Sequence, residues 1–212
     1  MLDPTTYPLV TAEYLEDKKL LPQAYLEYGK KMMTFCQDYT KRNIQASHYL
    51  CDGGYFYLRK PDYNEPKINL RNISALCARN IDCNDFSAVW KLMNRLDVKQ
   101  FLGIDEFTIW PIENKVYKIL AKSDAFRNYN SARDWLYLIK KGYKVWYYTG
   151  EYDALTPIKG FEKMLQKVGW NSLESQKPLD LGYGHMKQYK NVADIQLNDC
   201  GQWVTYEKPE YA

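Results

Sequence analysis

The chain has 212 residues, of which 46% are hydrophobic, 16% aromatic and 26% charged, and its formal net charge is +3. This composition predicts a soluble globular chain of one or at most two domains, and its many aromatic residues exclude an intrinsically disordered protein. Basic and acidic residues are interspersed, so no basic stripe indicates nucleic-acid binding. No apolar run approaches the roughly 20 residues that cross a bilayer, and we expect no transmembrane segment.

Five cysteines occupy positions 36, 51, 77, 83 and 200, and the chain has two histidines. An odd number of cysteines without a C-x-x-C pair does not match a zinc site, so we expect neither a metal nor a cofactor. The short interval between Cys77 and Cys83 could close a small loop. Asn72-Ile73-Ser74 matches the N-glycosylation pattern, which also occurs by chance. The segment Met1-Leu2-Asp3-Pro4 matches neither a signal peptide nor a transit peptide, so either the chain is not targeted in this way or its beginning lies elsewhere.

The first half of the chain is predicted to be mostly helical. Residues 8–18 and 22–42 form two helices, with Pro22 in the first turn of the second. An apolar stripe at helical spacing indicates the face of the second helix that packs on a core: Tyr25, Tyr28, Met32, Phe35 and Tyr39. Residues 51–67 contain Gly53-Gly54 and two prolines, and we expect a long irregular connection there. A further helix, starting at Asn84 or Asp85, carries Phe86, Val89, Trp90 and Met93.

Helices and strands alternate in the second half. Asn130 or Ser131 starts a helix that ends at Gly142, and a strand follows over residues 143–148. Another helix ends at Gly169, and residues 192–197 form a further strand. This order predicts an α/β layer structure. We place a division at residue 105, so that residues 1–105 form a helical, cap-like region and residues 106–212 form the α/β part.

The loop that follows the strand at 143–148 is the best place for a functional group. Functional side chains in open α/β sheets gather beyond the carboxyl ends of strands. Asp153 lies in this loop and is therefore the first candidate site residue. The alternative is an ordinary turn or helix-capping aspartate ahead of Pro157.

Several segments, taken in order along the chain, resemble the serine carboxypeptidase family. They are Met1 to Pro4 with Tyr7-Pro8, Asn69 to Ile73 with Cys77 and Cys83, residues 92–103, Trp146 to Asp153 with Pro157 and Gly160, Trp170, and residues 198–210. Together they cover nearly the whole chain. The resemblance implies the C-terminal portion of an α/β-hydrolase sheet, preceded by a helical insertion, and hence an incomplete domain.

The family removes C-terminal residues from peptides with a triad in the order Ser, Asp, His, and its serine stands in a nucleophile elbow. By this resemblance Asp153 matches the triad aspartate. The position of the catalytic histidine is occupied by Gln202, which cannot shuttle a proton near neutral pH. No serine of the chain stands in G-x-S-x-G, because the elbow belongs to the family's first half. One triad member of three remains, so we expect Asp153 to be vestigial.

Neither histidine is expected to replace the missing base. His185 lies ahead of the strand at 192–197, too early for the catalytic loop, and we expect an exposed loop histidine. His48 lies between helices. The resemblance also implies two disulfides, Cys77–Cys83 and Cys36–Cys51, which leave Cys200 as a thiol that simply packs.

A sheet without its first strands has an exposed apolar parallel edge, which favours association. We therefore expect an obligate protein partner, either a chain that carries the family's first half or unrelated subunits of an assembly. The first functional hypothesis is a catalytically inactive, structural or accessory subunit. The alternative is the C-terminal chain of a two-chain serine carboxypeptidase, and a third is peptide binding without cleavage. Family ancestry indicates a vacuolar, lysosomal or secreted location, and recruitment to another organelle, such as a mitochondrial assembly, is the alternative.

Overall fold

The structure is a computed structural model that describes residues 7–42, 47–59, 67–77, 87–110, 131–170 and 176–211. Its first part comprises helices α1 (Tyr7–Asp17), α2 (Gln23–Lys41) and α3 (Ser47–Leu58), strands β1 (Lys67–Ile68) and β2 (Leu76–Cys77), and short helices α4 (Ser87–Met93) and α5 (Leu96–Phe101). Its second part comprises α6 (Ala132–Lys140), β3 (Val145–Gly150), α7 (Ile158–Lys167), β4 (Leu179–Asp180), β5 (Gly184–Tyr189), β6 (Val192–Leu197), α8 (Val204–Glu207) and a 3₁₀ turn (Pro209–Tyr211). Within these ranges, no helix is long and apolar enough to span a bilayer.

The two predicted N-terminal helices are present, but the predicted apolar stripe of α2 is wrong. The positions that α2 buries are Leu26, Gly29, Met33 and Cys36. Tyr28 and Phe35 of the predicted stripe are 48% and 42% exposed. Both sets have helical spacing and differ by one residue. The observed set is buried because Gly29 lets α3 approach: a Cβ at this position would lie 2.6 Å from Leu58 Cδ2.

Residues 51–58 belong to α3, and the irregular connection predicted for residues 51–67 is wrong over this stretch. Glycine costs about 1 kcal/mol in a helix relative to alanine, but here it permits close packing of α3 on α2. A Cβ at Gly54 would lie 2.8 Å from Met33 Sδ. A disulfide between Cys36 and Cys51 joins the same two helices, as the resemblance implied.

Four strands form a mixed sheet in the order β3-β6-β5-β4. β3 and β6 are parallel, and the chain between them forms α7, β4 and β5. β5 is antiparallel to both β6 and β4. β3 begins at Val145, two residues later than predicted. β4 and β5 were not predicted, because Gly-His-Met-Lys-Gln-Tyr lacks a period-two apolar pattern. His185 therefore lies on strand β5 and not on a loop, although its side chain is exposed.

Helices α6 and α7 cover one face of this sheet. The core between them and the sheet consists of Ala132, Ile139, Val145, Phe161, Met164, Leu165 and Val192. Phe161 stacks on Tyr147 with ring centroids 4.4 Å apart and meets Trp135 edge-on. Gly142 and Gly169 follow the two helices with φ of +81°, as the predicted helix ends require.

A second core joins the helical part to the loop after β3. Its buried members are Ala12, Leu15, Leu26, Met33, Leu58, Leu70 and Ala154. The backbone N–H groups of Ala154 and Leu155 both donate to the carbonyl of Leu70 at 2.9 Å. Ion pairs of Lys163 with Glu13 and of Lys159 with Asp17 connect α7 to α1. The division at residue 105 stays a prediction.

Some predictions fall outside the described residues. They concern Met1 to Pro4, the helix start at Asn84 or Asp85 with Phe86, and Cys83 with its pairing to Cys77. The helix predicted after residue 85 is present as α4, from Ser87, and none of its residues is buried.

Candidate functional site

Asp153 lies where three loops meet, just beyond the carboxyl end of β3. The strand ends at Gly150, and a Cβ there would lie 2.2 Å from the carbonyl oxygens of Cys200 and Gly201. The loop after β3 is thus pressed against the loop after β6. The loop after β6 is in turn pressed against the segment around Arg71, because a Cβ at Gly201 would lie 2.1 Å from the carbonyl oxygen of Arg71. This close packing leaves Asp153 fully buried.

The carboxylate of Asp153 accepts four hydrogen bonds. Its Oδ1 accepts the backbone N–H groups of Leu155 at 2.8 Å and Thr156 at 2.9 Å. Its Oδ2 accepts the hydroxyl groups of Thr149 at 2.9 Å and Thr156 at 2.5 Å. Burial raises the pKa of Asp153, and these hydrogen bonds oppose the rise. Since an ionised carboxylate offers about four acceptor positions, all of them are used by Thr149 of β3 and by the turn that follows Asp153.

Gln202 belongs to the same site and is connected to Asp153 through one hydroxyl. Its Nε2 donates to Thr156 Oγ1 at 3.2 Å, and this hydroxyl in turn donates to Asp153. Its Oε1 accepts from Arg71 Nη1 at 2.5 Å, and its backbone N–H donates to the Arg71 carbonyl at 2.6 Å. The structure thus brings Asp153 and Gln202 together, in a chain of hydrogen bonds that continues to Arg71.

The segment around Arg71 is held by a second group of polar contacts. Glu207 Oε2 accepts both the Asn72 side-chain amide and the backbone N–H of Gly201, each at 2.6 Å. The Arg71 guanidinium stands 5.4 Å from the ring centroid of Trp203. Asn72 is 9% exposed. Its side-chain nitrogen, which the N-glycosylation pattern marks, donates to Glu207 in the folded chain.

A cleft of about 200 Å³ opens beside Asp153. Tyr14, Lys18 and Glu151 are among the residues that line it. These groups pair with one another: Lys18 Nζ lies 3.7 Å from Glu151 Oε1, and the Tyr14 hydroxyl donates to the Glu151 carbonyl at 2.5 Å. Burial raises the pKa of the Tyr14 hydroxyl. Across the parts of the chain that the structure describes, no group of three or more His, Cys, Asp or Glu side chains is gathered that could hold a metal ion.

His185 does not donate to the carboxylate of Asp153. His185 pairs across β5 and β6 with Gln196, which pairs with Thr149 on β3, so it stands two strands, or about 10 Å, from Thr149. His48 lies in α3, and its side chain is outside the described residues. Cys200 is buried, and burial raises the pKa of its thiol to about 11, so it packs as a neutral group.

Three residues of the site were not identified as site residues from the sequence. Thr149 lies four residues before Asp153 and Thr156 lies three residues after it. The Asp-x-x-Thr spacing is typical of a turn in which the aspartate accepts hydrogen bonds from the residues that follow, so this local pattern could have identified Thr156. Arg71 lies 131 residues from Gln202 along the chain. No local pattern connects residues at that separation, so only the fold identifies this contact.

Comparisons with known proteins agree with this geometry. A family model described as serine carboxypeptidase matches residues 6–212. Serine carboxypeptidase-like 48 of Arabidopsis thaliana is 24% identical over 95% of this chain and 41% of its own length. The pheromone-processing carboxypeptidase KEX1 of Phytophthora infestans is 22% identical over 87% of this chain and 35% of its own length. The chain therefore spans less than half of these relatives.

The fold is that of a solved carboxypeptidase. The crystal structure of Kex1(delta)p, a prohormone-processing carboxypeptidase from Saccharomyces cerevisiae, superposes with a TM-score of 0.75 at 16% identity. The match covers 98% of this chain and 50% of the other. The four-stranded mixed sheet and its helices are thus part of an α/β-hydrolase fold, and the chain belongs to the serine carboxypeptidase family.

Proposed function

We propose that the chain is a catalytically inactive serine carboxypeptidase-like protein that serves as a structural or accessory subunit of a larger assembly. The observation that carries this proposal is the state of Asp153, whose carboxylate receives three donors from its own turn and one from Thr149 at the end of β3. A triad aspartate must accept a hydrogen bond from an imidazole. Here every acceptor position of the carboxylate is already used, so Asp153 stabilises the turn that follows β3.

Gln202 supports the same proposal. A carboxamide cannot take up and return a proton near neutral pH, which the base of a triad must do. The side chain is also held at both ends, by Arg71 and by Thr156. No serine of the chain stands in G-x-S-x-G. The residues of this chain therefore supply neither nucleophile nor base.

The proposed role as a subunit rests on the unpaired edge of the sheet at β3. Parallel strands in α/β proteins are usually covered on both faces and flanked by further strands. In the part of the chain that the structure describes, β3 pairs on one side only. A partner that covers β3 would remove this unpaired edge, which is why we propose an obligate association.

A second candidate function is the C-terminal chain of a working two-chain serine carboxypeptidase. One observation favours it: a single hydroxyl, that of Thr156, separates Asp153 from the residue at the histidine position. This contact supports the second candidate, because the resemblance gives Asp153 the place of the triad aspartate and Gln202 a place in the catalytic loop. This candidate requires both a serine and a base from the partner chain.

The test is a peptidase assay on the native assembly, purified from its source cells, with a broad set of peptides that have free C-termini. We expect no turnover above background, and no serine in the assembly that a fluorophosphonate probe labels. Turnover that Asp153→Asn abolishes would contradict the proposal and favour the second candidate. If Asp153→Asn does not fold, probe labelling decides alone, since a labelled serine in a stoichiometric partner contradicts inactivity.

A further inference from the structure

The N-glycosylation pattern at Asn72-Ile73-Ser74 is folded into a turn. It is the single N-x-S or N-x-T triplet of the chain. Asn72 Oδ1 accepts the backbone N–H of Ser74 at 3.0 Å and the Ser74 hydroxyl at 2.6 Å. The Asn72 carbonyl accepts the backbone N–H of Ala75 at 3.1 Å. The hydroxyl that completes the pattern is therefore bonded to the side chain that the pattern marks, an arrangement that Asn and Ser favour in turns.

The nitrogen of the Asn72 side chain faces the part of the chain that follows β6. Nδ2 donates to Glu207 Oε2 at 2.6 Å, and the same oxygen accepts the backbone N–H of Gly201. Space around this contact is closed, because a Cβ at Gly201 would lie 2.5 Å from Asn72 Cβ and 2.8 Å from its Cα. A single added carbon atom therefore does not fit between the Asn72 segment and the loop after β6.

Glycosylation of Asn72 would place a bulky group at this contact. An oligosaccharyltransferase moves a sugar chain from a lipid pyrophosphate to the asparagine amide. The bond between the sugar C1 and a pyrophosphate oxygen breaks, a bond between C1 and Nδ2 forms, Nδ2 gives up one proton, and the lipid pyrophosphate leaves. The product amide keeps one hydrogen for Glu207, but its sugar ring needs an open path to solvent, and Asn72 is 9% exposed.

The unfolded chain offers no such obstacle. Glu207 lies 135 residues after Asn72, so the triplet is synthesised well before the partner of its amide nitrogen. In an extended chain both amide hydrogens of Asn72 and the hydroxyl of Ser74 are hydrated, since the turn and the contact with Gly201 do not yet exist. The same triplet is therefore exposed in the unfolded chain and enclosed in the folded one.

We propose that Asn72 is a sugar acceptor in the unfolded chain only, and that a glycan on Asn72 and the closed site around Gln202 exclude each other. A sugar chain on Nδ2 keeps Gly201 and Glu207 away from the Asn72 segment. Arg71 is the neighbouring residue, and its two contacts with Gln202 depend on the same close approach. The folded protein therefore carries an unmodified asparagine at this position.

The test is glycosylation in vitro of the native protein, purified from its source cells, with a single-subunit oligosaccharyltransferase and a lipid pyrophosphate-linked oligosaccharide. The folded protein is compared with its own peptides after cleavage at glutamate. We expect modification of Asn72 in the peptides and about tenfold less or none in the folded protein, because a buried group reacts only through local opening. The matched control is Glu106→Asn, which creates the triplet at three exposed positions, 106–108, and should be modified in the folded protein.

Equal modification of Asn72 in the folded protein and in the peptides would overturn the proposal, and so would peptides that are not modified at all. A second measurement needs no variant. Peptide N-glycosidase in heavy-oxygen water labels every asparagine that carried a glycan, and we expect no label at Asn72 in the folded protein from source cells. A labelled Asn72 there would show that the glycan and the closed site coexist, which the proposal forbids.

Discussion

Thr156 donates its hydroxyl hydrogen to the carboxylate of Asp153 over 2.5 Å, and the same oxygen accepts the side-chain N–H of Gln202 at 3.2 Å. A single hydroxyl group thus joins Asp153, at the aspartate position, to Gln202, at the histidine position. Because the oxygen both gives and receives a hydrogen bond, its loss removes one of the two donors to Asp153 Oδ2 and takes away the acceptor of the Gln202 side-chain N–H.

Thr156→Val removes this hydroxyl and keeps the shape of the side chain. We expect the free energy of unfolding to fall by about 1–3 kcal/mol, the cost of leaving buried polar groups unsatisfied. Urea unfolding followed by circular dichroism measures it. Thr205→Val, at an exposed position of α8, is the matched control and should change stability little. Equal effects of the two variants would show that Thr156 does not join the two residues.

Glu207 is predicted to couple two loops through a single carboxylate oxygen. It accepts the amide of Asn72 and the backbone N–H of Gly201. In a double-mutant cycle, Glu207→Gln and Asn72→Ala should show a coupling energy of about 1–2 kcal/mol, because they share one bond. Glu210→Gln, on an exposed glutamate, should show no coupling to Asn72→Ala. A purely additive Glu207 cycle would contradict the contact.

Stability is predicted to fall as the pH rises from about 4 to about 7. Burial and the neighbouring Glu162 raise the pKa of Asp194 to about 7, although the nearby Lys187 opposes this. An unfolded aspartate titrates near 4, so between these values the folded state binds more protons and unfolding becomes easier with each step in pH. The raised pKa of Asp153 acts in the same direction.

The measurement compares urea unfolding at about pH 5 and about pH 7.5, and we expect a loss of roughly 1–3 kcal/mol across this interval. Asp194→Asn cannot titrate and should reduce the slope, while Asp180→Asn, at an exposed position of β4, should preserve it. A stability that rises with pH over this interval would refute the assignment.

The disulfide between Cys36 and Cys51 encloses a sequence separation of 15 residues. Closing a loop of this size reduces the freedom of the unfolded chain and is worth about 3 kcal/mol. Reductant should therefore lower the urea midpoint of the chain. In the variant with Cys36→Ser and Cys51→Ser, the effect of reductant should be smaller, because the predicted Cys77–Cys83 pair alone remains to be reduced. An undiminished effect in this variant would contradict the stabilisation by Cys36–Cys51.

Two adjacent glycines of α3 are predicted to respond in opposite directions to alanine. A Cβ at Gly54 would lie 2.8 Å from Met33 Sδ, in the buried contact with α2. A Cβ at Gly53 would meet only the terminal methyl of Met32, at 3.1 Å. Gly54→Ala should destabilise the chain by about 1–2 kcal/mol, whereas Gly53→Ala should gain up to about 1 kcal/mol from helix propensity. Thermal unfolding of the pair tests this, and matching shifts would contradict the close packing.

The sequence predicted those parts of the fold that depend on short-range signals. Gly142 and Gly169 marked helix ends correctly, and the strand before Asp153 was displaced by two residues only. The face of α2 was wrong because tyrosine carries both an apolar ring and a polar hydroxyl, so Tyr28 fits a buried stripe or an exposed one equally well. The glycines of α3 were interpreted as loop residues, because only the partner helix shows why they are needed.

The site was predictable to the extent that two of its residues are named by the family resemblance. The resemblance singled out Asp153 and Gln202, and the structure joins these two residues through the Thr156 hydroxyl. What the resemblance could not supply was the role of Arg71, since its contact with Gln202 depends on the packing of three distant loops. A carboxylate with its full set of donors looks the same in sequence as one that awaits an imidazole.

The distance along the chain between Arg71 and Gln202 has a consequence for synthesis. At about 5–20 residues per second, Arg71 is synthesised roughly 7–26 s before Gln202, which lies 131 residues later. A similar interval separates the synthesis of Asn72 from that of Glu207, which lies 135 residues later. Throughout this interval the Arg71 guanidinium and the Asn72 amide lack the hydrogen-bond partners Gln202 and Glu207 that they have in the folded chain. The loop that completes the site is therefore made well after the segment that it contacts, and the hydrogen bonds of Arg71 and Asn72 form only once that loop has docked.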